Sequence, residues 1–207
     1  MFFKVTYVIA QSILKLFFNI FFTPQIVGKE NILKDGGFVF ACNHKSNFDP
    51  ALAGGYMPRK MGYLAKKELF SNAVFGWLLK GLGVMPITRE AAEIGTLKTI
   101  IKLLRNGGIV AVFPEGTRSI KDVNDVKSGA VLFAIKGQVP IQPALITGNY
   151  KLFGKLKLTF GKPIYYTQYH NKKVSQQQLH SLSVELMEHI YSLSGERNDY
   201  LNANTSD

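Results

Sequence analysis

Residues 36–50 read GGFVFACNHKSNFDP, and this stretch decides the fold. The two glycines mark a turn, and the apolar run from Phe38 to Cys42 that follows is typical of a short buried strand. Asp49 and Pro50 then fit the N-cap and the first residue of a helix. A strand, a polar turn and a helix start therefore follow one another directly, which predicts an α/β unit.

The same alternation continues along the chain. Further short strands are predicted at 61–65, 84–87, 109–113, 140–146 and 156–160. Helices are predicted at 73–80, 91–105 and 129–136, and another begins at Ser175, which forms a capping box with Gln178. Strands alternating with helices predict an α/β fold with a mostly parallel sheet flanked by helices.

The overall composition is that of one folded domain. The chain has 207 residues, of which 46% are hydrophobic and 19% charged. That is enough apolar material for a core and excludes a mostly disordered chain. The single cysteine excludes an intrachain disulfide and a cysteine-rich zinc site. The sequence contains no Walker P-loop, serine nucleophile elbow or His-Glu-x-x-His motif.

The chain is strongly basic, with a net charge of +11. The stretch from Val126 to Val184 contains eight lysines and no acidic residue. Such a field indicates an anionic partner, either an acidic membrane surface or a phosphorylated substrate. A nucleic-acid partner is the weakest alternative, because only five of the 25 bases are arginine and no reading motif is present.

The N-terminal segment is amphipathic. Sixteen of the first 22 residues are apolar, and Lys4, Gln11, Lys15 and Asn19 form one narrow polar stripe on a helix. No apolar run exceeds four residues, whereas a spanning helix needs roughly 20 mostly apolar residues. Residues 1–24 are therefore predicted to form a helix at the membrane interface. The alternative is a helix that packs on the protein's own core.

His44 and Asp49 are the first candidates for chemistry. They lie in a strand-to-helix turn, where α/β proteins form active sites. A histidine beside a carboxylate is an oriented general base. Two alternatives stay open: a plain turn with a helix cap, and a thiol–imidazole pair between Cys42 and His44.

The second candidate is the loop Phe113-Pro-Glu-Gly-Thr-Arg-Ser119, which follows a predicted strand. Arg118 offers a bidentate fork to phosphate, Thr117 and Ser119 offer hydroxyl groups, and Gly116 permits close approach. These residues favour a phosphate-binding loop, with an ordinary turn as the alternative.

Four blocks in order resemble the glycerolipid acyltransferase family. They are Asn43-His44 with Asp49, residues 65–69 continuing to 83–89, residues 113–119 and residues 139–143. The resemblance extends from about Val27 to Lys162. Met85 and Gln142 depart from the aliphatic residues expected in this family.

The resemblance implies a role for each matching residue. His44 would deprotonate the acceptor hydroxyl, and Asp49 would orient His44. The site that binds the substrate phosphate would comprise Lys66, Arg89, Glu115, Gly116, Thr117 and Arg118. Val139 and Pro140 would lie near the acyl chain. No metal and no cofactor are expected.

The resemblance also implies a reaction and a location. The expected reaction transfers a fatty acyl group from acyl-CoA or acyl-carrier protein to the sn-2 hydroxyl of lysophosphatidate, giving phosphatidate. Residues 25–195 would form the acyltransferase domain and residues 196–207 a polar tail. The enzyme is expected on the cytoplasmic face of the cell membrane, as a peripheral or monotopic protein. The alternatives are an acyltransferase for glycerol-3-phosphate or another lysophospholipid, and a non-catalytic protein that binds acidic lipid.

Overall fold

The computed structural model describes residues 2–66, 71, 84–87, 94–116 and 123–195. Within these ranges the helices are α1 (Phe2–Phe21), α2 (Asp49–Tyr56), α3 (Ile94–Arg105), α4 (Gly129–Gly137) and α5 (Gln176–Ser192). The strands are β1 (Gln25–Val27), β2 (Phe38–Cys42), β3 (Met61–Lys66), β4 (Val84–Ile87), β5 (Ile109–Val112), β6 (Ile141–Gly148) and β7 (Leu156–Phe160). The helix predicted at 73–80 and the predicted tail 196–207 lie outside the described residues.

The described strands form one mixed sheet in the order β1-β7-β6-β2-β5-β3-β4. The pair β6–β7 is antiparallel, and the other neighbouring pairs are parallel. The prediction of a mostly parallel sheet is therefore confirmed. β1 was not predicted, because three residues are too few to show a strand period.

Helices cover both faces of this sheet. Val39 and Ala41 of β2 pack with α3, α4 and α5 on one face, whereas Phe38, Phe40 and Cys42 pack with α2 and the end of α1 on the other. Both sets of side chains are fully buried, since successive strand residues point to opposite faces. β2 therefore lies at the centre of the core, and a residue that follows it is held by the most buried part of the fold.

The central strands all end at one edge of the sheet. β2, β3, β5 and β6 are parallel to each other, so the turn after Cys42, the turn after Val112 and the loop after Gly148 meet there. We call this edge the carboxyl edge. The opposite edge, where Phe38 and Ile141 begin their strands, is the amino edge. Active sites of open α/β sheets form outside the carboxyl ends of strands.

Helix α1 has two different faces. Gln11 donates hydrogen bonds to the carbonyls of Gly54 in α2 and of Met57, the residue that follows α2. Asn19 accepts a hydrogen bond from Tyr56, and Lys15 lies 5.7 Å from the centre of the Tyr56 ring. Phe18 is fully buried. Gln11, Lys15 and Asn19 of the predicted polar stripe therefore face α2, which fits the alternative of packing on the protein for this part of the helix.

The outward face of α1 is apolar and exposed. Its exposed large side chains are Val8, Ile9, Ile13, Leu16, Phe17, Ile20 and Phe21. None of the described helices combines the length and hydrophobicity that crossing a bilayer requires. The interpretation of this face as a membrane contact stays a prediction.

The start of α2 differs from the sequence expectation. The helix N-cap is Phe48, and Asp49 is the first helical residue, with Pro50 after it. Asp49 makes no capping bond to the helix, because its carboxylate turns back toward the preceding polar turn. The carboxylate of Asp49, which was predicted to cap the helix, is therefore available to contact His44.

Candidate active site

A histidine–aspartate pair stands at the carboxyl edge. His44 Nδ1 lies 2.8 Å from Asp49 Oδ2. The side chain of His44 is 20% exposed, whereas that of Asp49 is fully buried. With Nδ1–H donating to the carboxylate, Nε2 carries a free lone pair, and it has no hydrogen-bond partner among the described residues. This arrangement is that of a general base open to a substrate.

The carboxylate of Asp49 is held by hydrogen bonds on both oxygens. Oδ2 also accepts the backbone N–H groups of Lys45 at 2.6 Å and Ser46 at 2.7 Å. Oδ1 accepts the hydroxyl of Tyr150 at 2.5 Å. Burial and the neighbouring Asp49 charge raise the pKa of Tyr150. The phenol therefore stays a donor, and the buried carboxylate is fixed in orientation and compensated in charge.

A second buried carboxylate lies behind His44. Glu115 is 3% exposed, and its Oε1 accepts the hydroxyl of Tyr191 at 2.6 Å. The backbone N–H of His44 is near enough to lower the pKa of this carboxylate. Burial raises the pKa of Glu115, although these two contacts oppose the rise. Glu115 is therefore a buried carboxylate that Tyr191 holds beside the backbone of His44.

Asn43 fixes the end of β2. Its Oδ1 accepts the N–H of Ile146 at 2.7 Å, and its Nδ2 donates to the carbonyl of the same residue at 3.0 Å. The side chain is 2% exposed. These two hydrogen bonds to the backbone of Ile146 join β2 to β6, so the backbone that leads to His44 is held in place.

The ring of Phe113 stacks on His44 with a centroid distance of 4.5 Å.

The residues predicted to bind phosphate are described in part. The backbone of Lys66 ends β3 at the carboxyl edge, two strands from β2 or about 10 Å. Gly116 follows Glu115 in a left-handed conformation with φ of 65°, and an added Cβ would meet Lys127 Cγ at 3.1 Å. Arg89, Thr117 and Arg118 lie outside the described residues. The phosphate site as a whole stays a prediction.

The predicted acyl-pocket residues lie elsewhere in the sheet. Val139 is buried in the core beside α4, and the carbonyl of Pro140 accepts the N–H of Val39 at the start of β2. Both residues therefore belong to the amino edge. His44 is about five residues further along the strands, which is roughly 16 Å. The structure does not bring Val139 and Pro140 together with His44.

Gln142, which departs from the family pattern, is fully buried. Its Oε1 accepts the N–H of Leu33 at 3.3 Å, and its Nε2 donates to the carbonyl of Gly161 at 2.6 Å. The amide therefore joins β6 to two neighbouring connections of the chain. Its role in the described structure is to satisfy buried backbone groups.

The thiol alternative does not fit the geometry. Cys42 is fully buried, and its Sγ lies 3.5 Å from Asn43 Oδ1. Burial, reinforced by the charges of Asp49 and Glu115, raises the pKa of this thiol well above its ordinary value. A neutral thiol packed in the core cannot meet a substrate carbonyl, because the nucleophile is the thiolate.

Within the described ranges, no three His, Cys, Asp or Glu side chains converge as a metal site requires. The expectation that the enzyme works without a metal or cofactor stays a prediction.

Sequence reasoning missed the side chains that hold the two carboxylates. Tyr150 is 101 residues from Asp49, and Tyr191 is 76 residues from Glu115. No local spacing connects residues so far apart, so only the fold brings them together. The one available signal was that a buried carboxylate needs partners.

The His44–Asp49 pair at the carboxyl edge of a mostly parallel sheet is an arrangement typical of α/β enzymes that use a general base. Residues 23–147 match the model of a protein family described as acyltransferase. The chain belongs to this acyltransferase family.

Named relatives agree with this assignment. The chain is 42% identical over 147 residues to the 1-acyl-sn-glycerol-3-phosphate acyltransferase of Bacillus subtilis, covering 68% of this chain and 73% of that protein. It is 34% identical over 138 residues to the enzyme of the same name from Streptococcus pneumoniae, covering 63% and 51% respectively. The crystal structure of the 1-acyl-sn-glycerophosphate acyltransferase PlsC from Thermotoga maritima is similar, with a TM-score of 0.70 at 25% identity. That likeness covers 95% of this chain and 83% of that one.

Proposed function

We propose that this chain transfers a fatty acyl group from an acyl thioester to the sn-2 hydroxyl of lysophosphatidate, giving phosphatidate for phospholipid synthesis. The observation that carries the proposal is the His44–Asp49 dyad, with Nδ1 bonded to a buried carboxylate. The names of the relatives from Bacillus subtilis and Streptococcus pneumoniae support this acceptor.

The reaction needs one proton carrier. His44 Nε2 takes the proton of the acceptor hydroxyl as its oxygen bonds to the thioester carbonyl carbon. The tetrahedral intermediate then breaks its carbon–sulfur bond, and the imidazolium returns the proton to the leaving thiolate. Asp49 stabilises the imidazolium between these steps. A positioned base of this kind contributes typically about 10²–10⁴-fold in rate.

The acceptor phosphate would place the hydroxyl at His44. Lys66, Arg89 and Arg118 are the cations proposed to hold it, with Glu115, Gly116 and Thr117 shaping the pocket. The support is that β3 and β5 end at the same edge as β2. Phosphate held there turns binding energy into orientation of the reacting oxygen. The donor would be acyl-CoA or acyl-carrier protein, both of which suit the basic surface.

The enzyme would work at the cytoplasmic face of the membrane, bound through the outward face of α1. The support is the row of exposed apolar side chains along α1, with Ile13 and Leu16 each 61% exposed. Water-exposed apolar patches of this kind mark interaction sites, and the net charge of +11 favours an acidic lipid surface.

The testing experiment is acyl transfer from a labelled acyl thioester to lysophosphatidate in detergent micelles. The wild type is compared with His44→Ala and with His189→Ala, an exposed histidine of α5 that serves as the matched control. We expect phosphatidate from the wild type and from His189→Ala but not from His44→Ala.

Competing acceptors and both donors are tested in the same assay. Preferred acylation of glycerol-3-phosphate or of another lysophospholipid would reassign the acceptor. Vesicle binding without transfer to any acceptor, from acyl-CoA or acyl-carrier protein, would favour the non-catalytic lipid-binding protein and refute the proposal.

A further inference from the structure

The loop that joins β6 to β7, residues 149–155, exposes apolar side chains at the carboxyl edge. Leu152 is 62% exposed and Phe153 is 72% exposed. Phe153 is the most exposed large apolar side chain in the described part of the chain. Two adjacent exposed large apolar side chains at a loop tip beside the candidate active site indicate a contact surface.

The loop is built to hold this tip in place. The N–H of Gly154 donates to the carbonyl of Lys151 at 2.7 Å, and Asn149 Oδ1 accepts the N–H of Lys151 at 3.2 Å. Phe153 adopts a left-handed φ of 57°, which is unfavourable for an aromatic residue. At the base, Gly148 has φ of 87°, and an added Cβ would lie 1.9 Å from the carbonyl oxygen of Lys155. The strained tip is therefore a fixed feature of the hairpin.

The loop lies between α1 and the catalytic dyad. The N–H of Phe153 donates to the carbonyl of Phe21 at 2.7 Å, so the tip continues the exposed apolar face of α1. Tyr150, three residues earlier, donates to Asp49 and packs against Phe22 with a ring separation of 5.9 Å. One short loop therefore contacts both the helix end and the buried carboxylate of the site.

The charges around the tip are positive. Lys151 and Lys155 flank it and are exposed, and Lys45 Nζ donates to the carbonyl of Gly148 at the loop base at 2.8 Å. No acidic residue occurs between Val126 and Val184. Apolar tips flanked by lysines match a bilayer, where apolar groups enter the acyl region and ammonium groups meet anionic headgroups.

We propose that residues 149–155 form a second membrane-inserting element, with Leu152 and Phe153 between lipid chains and the flanking lysines at anionic headgroups. The inference rests on the proposed reaction and membrane placement. Insertion next to Tyr150 and Asp49 brings His44 to the headgroup layer, where the sn-2 hydroxyl of a bilayer-held acceptor lies. The tip residues Leu152 and Phe153 thereby serve capture of the lipid acceptor and take no part in bond making.

Lipid contact is measured directly with an environment-sensitive fluorophore on Phe153→Cys. Tyr165→Cys is the matched control, because Tyr165 is 57% exposed and follows β7 at the amino edge. Cys42 is buried and stays unlabelled. With vesicles of phosphatidylglycerol and phosphatidylcholine, we expect a blue shift and quenching by brominated acyl chains at position 153 only.

The functional test uses the double variant Leu152→Ser with Phe153→Ser, beside Tyr165→Ser. We expect about tenfold weaker vesicle binding and a matching loss of activity on long-chain lysophosphatidate in vesicles. Activity on a short-chain, monodisperse lysophosphatidate should stay unchanged, since that acceptor needs no bilayer.

Each contrary outcome has a separate meaning. A label at position 153 that stays in water while the protein binds vesicles overturns the proposal. Equal losses on the short-chain and long-chain acceptors would also overturn it. Self-association that the double serine variant abolishes, without lipid contact at position 153, would assign the loop to a second copy of the chain. Insertion without acyl transfer to any acceptor would refute the proposed function and leave the inserting loop standing.

Discussion

At the carboxyl edge of the sheet, the polar side chains of Asn43, Asp49 and Glu115 are buried and hydrogen-bonded, whereas at the amino edge Arg105, Lys172 and Lys173 are exposed. Arg105 Nη2 does contact the carbonyl of Lys136 at 3.0 Å, but that bond is solvent-exposed. Lys172 and Lys173 line a shallow groove beside it. One edge is therefore a preorganised polar network, and the other is a solvated basic surface.

This difference separates two kinds of charge in one protein. Burying a carboxylate costs free energy unless hydrogen bonds compensate it, so the partners of Asp49 must be specific and directional. Exposed lysines need no such partners, and water and salt screen their field over about 10 Å. Chemistry should therefore depend on single atoms at the carboxyl edge, whereas at the amino edge only the total charge should matter.

Asp49→Asn should produce the largest loss. The asparagine oxygen can keep facing His44 Nδ1 and the N–H groups of Lys45 and Ser46, while its amide turns toward Tyr150. The geometry then survives, but the negative charge that stabilises the imidazolium is lost. We expect a fall of about 10²–10⁴-fold in kcat, measured as phosphatidate formation, with unchanged circular dichroism. Activity near the wild-type level would mean that the buried charge has no catalytic role.

Tyr150→Phe should produce a smaller loss at the same edge. The variant removes the hydrogen bond to Asp49 Oδ1 and leaves the bonds to Oδ2 in place. A hydrogen bond to a charged group is worth about 1.5–3 kcal/mol, so we expect kcat to fall by about 10-fold to 100-fold with little change in KM. Steady-state kinetics beside Tyr165→Phe, an exposed tyrosine of the amino edge, checks this. A change confined to KM would place Tyr150 in acceptor binding instead.

Glu115→Gln should change how stability depends on pH. The pKa of Glu115 is raised above its ordinary value of 4.5, mainly by burial. Between 4.5 and the raised value, the unfolded state loses a proton that the folded state keeps. The wild type therefore loses stability as pH rises through this window, and the variant does not.

Urea unfolding of both proteins from about pH 4 to about pH 9 measures this difference. We expect the stability of Glu115→Gln relative to the wild type to increase with pH and then level off. A relative stability that decreases with pH would show that the contacts with Tyr191 and the His44 backbone outweigh burial.

Local patterns predicted the elements that have clear signals of their own. The strand at Phe38 to Cys42 and the cap from Ser175 Oγ to the Gln178 N–H were both predicted and are both present. The start of α2 was one residue wrong, because Asp49 is an equally good cap and general-base partner by sequence. Only the structure shows that its carboxylate faces His44.

The remaining features of the site depend on distant contacts. The sequence left open whether α1 faces a membrane or the protein, because a polar stripe looks the same in both cases, and the structure shows that Gln11 and Asn19 bond to the α2 region. The predicted acyl-pocket role of Val139 and Pro140 came from the family resemblance alone. Their position at the amino edge follows from the register of β6 with β2. Sequence spacing gives the face of an element, but the strand order decides which ends meet.

Lys172→Ala with Lys173→Ala should produce the smallest effect. Both side chains are exposed at the amino edge, which lies about five strand residues, or roughly 16 Å, from His44. That distance exceeds the screening length, so we expect less than a twofold change in kcat with acyl-CoA as donor.

The same assay with acyl-carrier protein as donor sharpens the comparison, because an acidic protein covers more of the enzyme surface than coenzyme A does. A loss seen with the carrier protein alone would identify the amino edge as its docking surface. A loss of kcat with both donors would contradict the independence of the two edges, because it would mean that charge at the amino edge affects the His44–Asp49 pair.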